Sequence, residues 1–244
     1  MSSEKFHRPG EKVILLHGIG RAVFFNHRRL QRRLLQEGYQ AHFLRYPSTR
    51  HSIEDLAAHY LAPLARQMSL REPADAPLHF VTFSMGGLLL RSFLSRNEVP
   101  NLGRVVMIAP PNQGSHWVDH LERVPAFRWF YGPSGVQMRT DPTALPCALP
   151  GADYECGVIA GKLPGCSVLA PVFRGQLSDG TVSIHSTHLE GMKEHQVVHG
   201  LHALLFQSPK VVELTMRFLR SGTFATNAET AKTLPRPVPQ SQMP

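Results

Sequence analysis

The chain has little cysteine: three residues in 244, Cys147, Cys156 and Cys166, all in one Pro/Gly-rich region. Their spacings match no zinc or redox motif, and an odd count argues against a complete disulfide framework. Long apolar runs are also missing. No stretch approaches the roughly 18 to 20 residues of a membrane-spanning helix, and Met1 to Gly10 is polar, with no apolar core of a secretion signal. These absences predict a soluble, cytoplasmic protein. There are no internal repeats, no nucleic-acid-binding motif, and no His-Glu-x-x-His. His185, His188 and His195 with Glu190 straddle a turn with no helix to set ligand geometry, and a chain with 14 histidines clusters some by composition. No metal or other cofactor is expected.

What is present is an ordinary globular composition, 42% hydrophobic, enough for one α/β domain over residues 1–222. Val13-Ile14-Leu15-Leu16 reads as a buried strand, Asn26 to Glu37 as a helix closed by Gly38, and Tyr39 to Tyr46 as the next strand. Ser52, with Glu54 and Asp55 behind it, opens a helix whose stripe runs through Ile53, Leu56, Ala57, Tyr60, Leu61 and Leu64; Pro63 should kink or end it. Val105 to Ala109 and Gly157 to Gly161 are further apolar strands, and His195 to Val198 is the last. Ser208-Pro209 starts a terminal helix that Gly222 ends, and residues 223–244, with four prolines, read as a disordered tail. Alternation of this kind predicts a doubly wound, mostly parallel α/β sheet with functional groups at the carboxyl ends of its strands. Residues 112–155 break the pattern and carry Trp117, Phe127, Trp129, Phe130 and Tyr131, as a lid-like insertion would.

The most informative passage is Thr82-Phe83-Ser84-Met85-Gly86-Gly87. It follows the apolar run Leu78 to Val81 and precedes the helix-like Leu88 to Leu94, so one serine sits at a sharp strand-to-helix turn. A hydroxyl there can attack a carbonyl, beside backbone N–H groups that meet the resulting oxyanion. Serine is a poor nucleophile at neutral pH, so the turn implies a histidine and a carboxylate later in the chain. Ser178-Asp179-Gly180 is a tight turn between two late strands, which favours Asp179 over Asp119, Asp141 and Asp153 in the insertion. The loop before the terminal helix offers His199 and His202, and position alone does not separate them.

Together with Leu15-Leu16-His17-Gly18-Ile19-Gly20-Arg21, Tyr46-Pro47-Ser48, Ala109-Pro110-Pro111-Asn112-Gln113-Gly114 and Ser178 to Ser183, the passage resembles the α/β-hydrolase superfamily. The likeness is to its lipase and esterase branch of small bacterial serine hydrolases, over roughly residues 12–222. The resemblance implies the α/β-hydrolase fold and a Ser84, Asp179, His202 triad, with His202 preferred over His199. It also implies backbone oxyanion donors at Ile19 and Met85, His17 as a shaper of its loop, and hydrolysis of carboxylic, lipid-like esters through an acyl-enzyme. Two positions depart from the family pattern: Thr82 replaces the first glycine of the turn, and Phe83 stands where many relatives have histidine. Thioesterase or acyltransferase chemistry would use the same residues. Outside enzymology, a catalytically silent lipid-binding or interaction protein would keep the fold.

Charge adds one more surface. Of the formal net +8, Arg28, Arg29, Arg32 and Arg33 fall on a helix whose inner face is Leu30 and Leu34. That face reads as solvated, with weak contact to anionic membrane as the functional alternative; no nucleic-acid partner is expected.

Overall fold

A computed structural model describes residues 10–20, 27–163, 172–173 and 175–226 of the chain. Six strands form one sheet: β1 (Lys12–Leu16), β2 (Gln40–Leu44), β3 (Leu78–Phe83), β4 (Leu102–Ile108), β5 (Cys156–Lys162) and β6 (Glu194–His199). Their order is β2-β1-β3-β4-β5-β6, and every neighbouring pair is parallel. The inner strands β1 and β3 are buried along their whole length, which is why they are mostly apolar rather than alternating, with Lys12, His79 and Thr82 the buried exceptions.

Helices cover both faces. Alternate residues of each strand point to opposite sides. Val13, Leu15, Val81, Phe83, Val106 and Ile108 meet one layer, built from α1 (Arg28–Gln36) and the carboxyl-terminal helix; Leu30 and Leu34 are the inward residues of α1. Ile14, Leu16, Phe80, Val105 and Met107 meet the other layer, formed by α2 (residues 53–69) and α3 (Met85–Leu94). Leu88, Leu89 and Leu90 of α3 are all fully buried, because that helix is enclosed on every side. Each such side chain contributes about 1.5–3 kcal/mol on burial.

Helix α2 begins as its sequence predicts: Ser52 Oγ accepts the Asp55 amide at 3.1 Å and donates to the Asp55 carboxylate at 2.7 Å. Pro63 does not end it. Residues Ala57–Leu61 widen into a π-turn, with the Ala62 amide reaching Ala57 O, and the helix resumes as Ala62–Ser69. The wider turn spends its irregularity where proline has no N–H to give. The Asn26 start expected for α1 lies outside the described residues.

The stretch after β4 is less irregular than its composition predicts. It holds α4 (His116–Leu121), α5 (Pro125–Val136) and α6 (Leu145–Ala148). Helix α5 is broken at Gly132 (φ 62°), ahead of Pro133. Buried Arg91 on α3 anchors the base of this stretch by donating to the carbonyls of Asn112, Leu149 and Pro150. After β6 come α7 (His202–Leu205) and α8 (Pro209–Ser221). Packing extends beyond Gly222: Phe224 is buried against Phe218, ring centroids 4.9 Å apart, and the rest of the proposed tail, from residue 227, lies outside the described residues. Cys147 is exposed and Cys156 is buried, both as free thiols; burial pushes the Cys156 thiol up to about 12. Cys166 lies outside the described residues. Among those described, no helix is long and apolar enough to cross a membrane.

Candidate active site

Strand β3 ends one residue before Ser84, whose amide extends the ladder to Ile108 O at 2.8 Å. Ser84 then takes φ 53° and ψ −126°, and α3 starts at the next residue. A non-glycine residue at positive φ is uncommon and is held only by firm surroundings. Here they are firm: a Cβ at Gly86 would lie 2.7 Å from His17 O and 3.0 Å from Leu16 O, so only glycine lets α3 start this close to β1. Thr82, at the position of the pattern's first glycine, is fully buried in β3 between Leu16 and Met107, and its hydroxyl has no partner among the described residues. The sharp turn forms with threonine in place.

The carboxyl end of the sheet brings three side chains together. His202 Nε2 lies 3.1 Å from Ser84 Oγ, and His202 Nδ1 lies 2.7 Å from Asp179 Oδ2. Asp179 is fully buried; its Oδ1 accepts the amides of Thr181 at 3.0 Å and Val182 at 2.8 Å, while its backbone carbonyl accepts the His202 amide at 2.9 Å. With Nδ1–H donated to the carboxylate, Nε2 is the acceptor that faces the serine hydroxyl. Phe83, at the position before the serine, packs its ring 4.9 Å from the His202 ring. His199 ends β6, exposed, and is not part of this group. Two of the competing acids serve the insertion locally: Asp119 accepts the Thr140 amide and hydroxyl, and Asp141 those of Thr143, while Asp153 is exposed.

Met85 follows the serine, and Ile19 follows Gly18, whose backbone lies against Ser84. Met85 opens α3, where the first amides have no intrahelical acceptor. The loop carrying Ile19 is pressed on Ser84 so closely that a methyl on Gly18 would come 3.0 Å from the serine Cβ. His17 holds that loop: its Nδ1 donates to Gly18 O at 2.7 Å, its Nε2 accepts the Tyr46 amide at 3.3 Å, and the Tyr46 ring stacks on it at 3.8 Å. Burial depresses the His17 imidazole to about 4, against smaller opposing effects of its backbone bonds, so it is neutral at pH 7. The Tyr46 hydroxyl donates to His17 O, and Ser48 Oγ bonds the Gly20 amide and carbonyl. The role of the Tyr-Pro-Ser segment is therefore to brace the loop beside the serine, which its sequence does not disclose.

Two further contacts also escaped sequence reasoning. Trp117 Nε1 donates to Gly180 O at 2.9 Å, tying α4 to the loop of Asp179. Ser134, after the break in α5, donates to Ser48 O. Trp129 and Phe130, 79% and 65% exposed, project from α5 with Tyr131 beside them, while Leu201 and Leu204 are exposed on either side of His202. His188 and His195 stack at 4.2 Å and His195 Nε2 pairs with Thr187 Oγ1 at 2.8 Å; no group of metal-binding side chains occurs among the described residues.

No protein-family model matches the chain, and no curated protein matches it. Solved structures do. The mature form of a Bacillus licheniformis lipase superposes with TM-score 0.65 at 17% identity, over 91% of this chain and 94% of that one. A metagenomic carboxyl esterase gives 0.58 at 14% identity, over 80% and 65%. A structure from a study of carboxylesterases of the thaumarchaeon Nitrososphaera gargenis gives 0.51 at 15%, over 91% and 98%. At these identities the likeness is one of fold.

Proposed function

We propose that this chain, whose fold is that of the α/β-hydrolases, is a serine hydrolase of carboxylic esters. The reading rests above all on His202, which spans from the buried Asp179 carboxylate to the Ser84 hydroxyl at hydrogen-bonding distance on both sides. Ser84 Oγ attacks the acyl carbonyl as its proton passes to His202 Nε2, and the carbonyl electrons move onto oxygen. The N–H groups of Ile19 and Met85 receive that oxyanion. Collapse expels the alkoxide, which takes the proton from His202 and leaves as alcohol. Water then adds to the acyl-enzyme with His202 again as base, freeing the acid and Ser84. Asp179 keeps Nδ1 protonated and steadies the imidazolium formed in each half. The exposed aromatics of α5, and the exposed Leu201 and Leu204 flanking His202 in the chain, suit an apolar acyl group, with residues 112–155 acting as its cover.

The test is labelling by an active-site-directed fluorophosphonate. The native protein should label and Ser84→Ala should not; a native protein that stays unlabelled would sink the proposal. A series of p-nitrophenyl esters of increasing acyl length then sizes the acyl site.

A further inference from the structure

On the opposite side of the first helical layer from the sheet, α1 and α8 run side by side and leave a groove of about 630 Å³ between them. Arg28, Arg29, Arg32 and Arg33 line it from α1 and Arg220 from α8, over a floor that includes the buried Val212 and Met216. Among the described residues the lining holds one carboxylate, Glu213, and that is engaged by Arg217. Glu37, at the end of α1, faces Arg33 at 2.7 Å and Arg220 at 3.6 Å. Arg29 spends one nitrogen on Gln207 O at 3.2 Å. The side chains of Arg28 and Arg32 make no hydrogen bond or ion pair among the described residues, and both residues are exposed.

The placement works against the helix that carries it. Arg28 and Arg29 occupy the first turn of α1, where the helix dipole disfavours cations, and that turn has no acidic residue. The pairs Arg28/Arg32 and Arg29/Arg33 set like charges one turn apart. Every cation of α1 is a guanidinium, the group whose planar fork matches phosphate oxygens two at a time. An anion between these forks removes the repulsion. At the Pro209 end of the groove the amino terminus of α8 adds its partial positive charge, and the Ser208 side chain does not cap it.

We propose that this groove is a binding site for phosphate groups, borne either by a soluble polyanion or by an anionic lipid headgroup. It is separate from the Ser84 site, and Arg29 joins it to the segment that follows His202 through the carbonyl of Gln207. Calorimetric titration of the full chain with inorganic tripolyphosphate at low salt tests it. The native protein should bind with one-to-one stoichiometry. Arg28→Gln with Arg32→Gln should weaken binding on the order of tenfold or more, the usual loss with charge-assisted bonds. Arg66→Gln with Arg96→Gln, exposed elsewhere, should leave it unchanged. Flotation with phosphatidylglycerol and phosphatidylcholine vesicles assigns the source: flotation that tripolyphosphate reverses marks headgroups, and tripolyphosphate binding without flotation marks a soluble ligand. No heat from tripolyphosphate with the native protein, or equal loss in both double variants, would overturn the proposal.

Discussion

At the scale of single residues, the division of labour between two nearby histidines is sharp. His202 is buried between Ser84 and Asp179, whereas His199 is exposed at the end of its strand. His202→Ala should therefore abolish ester turnover while His199→Ala keeps most of it, read as kcat/KM on a p-nitrophenyl ester. Asp179→Asn should lower kcat by about 10³- to 10⁴-fold, because an amide no longer fixes the imidazole tautomer. Thr82 carries a different expectation. Its buried hydroxyl has no partner among the described residues, so Thr82→Val removes a desolvated polar group at nearly constant shape and should raise unfolding stability by about 1 kcal/mol. Urea denaturation measures it, and a loss of stability would mean that the hydroxyl does find a bond. Sequence alone picked out Ser84 and Asp179, since a strand-to-helix turn and a tight turn each leave a local signature. Position leaves His199 and His202 open, because both precede the terminal helix; the family resemblance prefers His202, which is the one that is buried.

At the scale of elements, the inner strands were legible because burial on both faces leaves apolar runs such as Val13 to Leu16 and Val105 to Ile108. The edge strand β6 was legible too, as the β-branched pair Val197-Val198 ahead of a glycine. The helices α4, α5 and α6 were not. Helices α4 and α6 are short, and α5 is interrupted by the glycine and proline inside it, so no apolar period accumulates over enough turns. Their positions are set by tertiary bonds, such as Gln137 reaching both the Ile53 amide and Glu54. Gly132 marks the break: a Cβ there would lie 1.7 Å from Thr49 O, and its φ is positive. Gly132→Ala should cost about 1–3 kcal/mol and loosen α5 from the loop that braces His17. Hydrogen exchange should locate the loosening at residues 125–137, with slower ester turnover in the same variant.

For the whole molecule, acid is the informative perturbation. His17 titrates near 4 when folded and near the usual 6.5 when unfolded, so between these values the unfolded chain holds a proton that the folded chain does not. Its contribution is fully present above about pH 6.5 and lost as pH falls through 4, to the extent of about 3 kcal/mol. His195, also lowered to about 4 by burial, adds in the same direction. Stability measured from pH 7 to 4 should fall, and His17→Asn should flatten the fall by close to one proton. A slope unchanged by that substitution would assign the acid sensitivity elsewhere. The separation of the proposed triad along the chain has a consequence for biosynthesis. Ser84 precedes His202 by 118 residues. At typical elongation rates the ribosome needs on the order of 10 s to cover that distance. Under the proposed mechanism a nascent chain that already carries Ser84 is thus without its base until the segment holding Asp179 and His202 has emerged and folded onto the sheet.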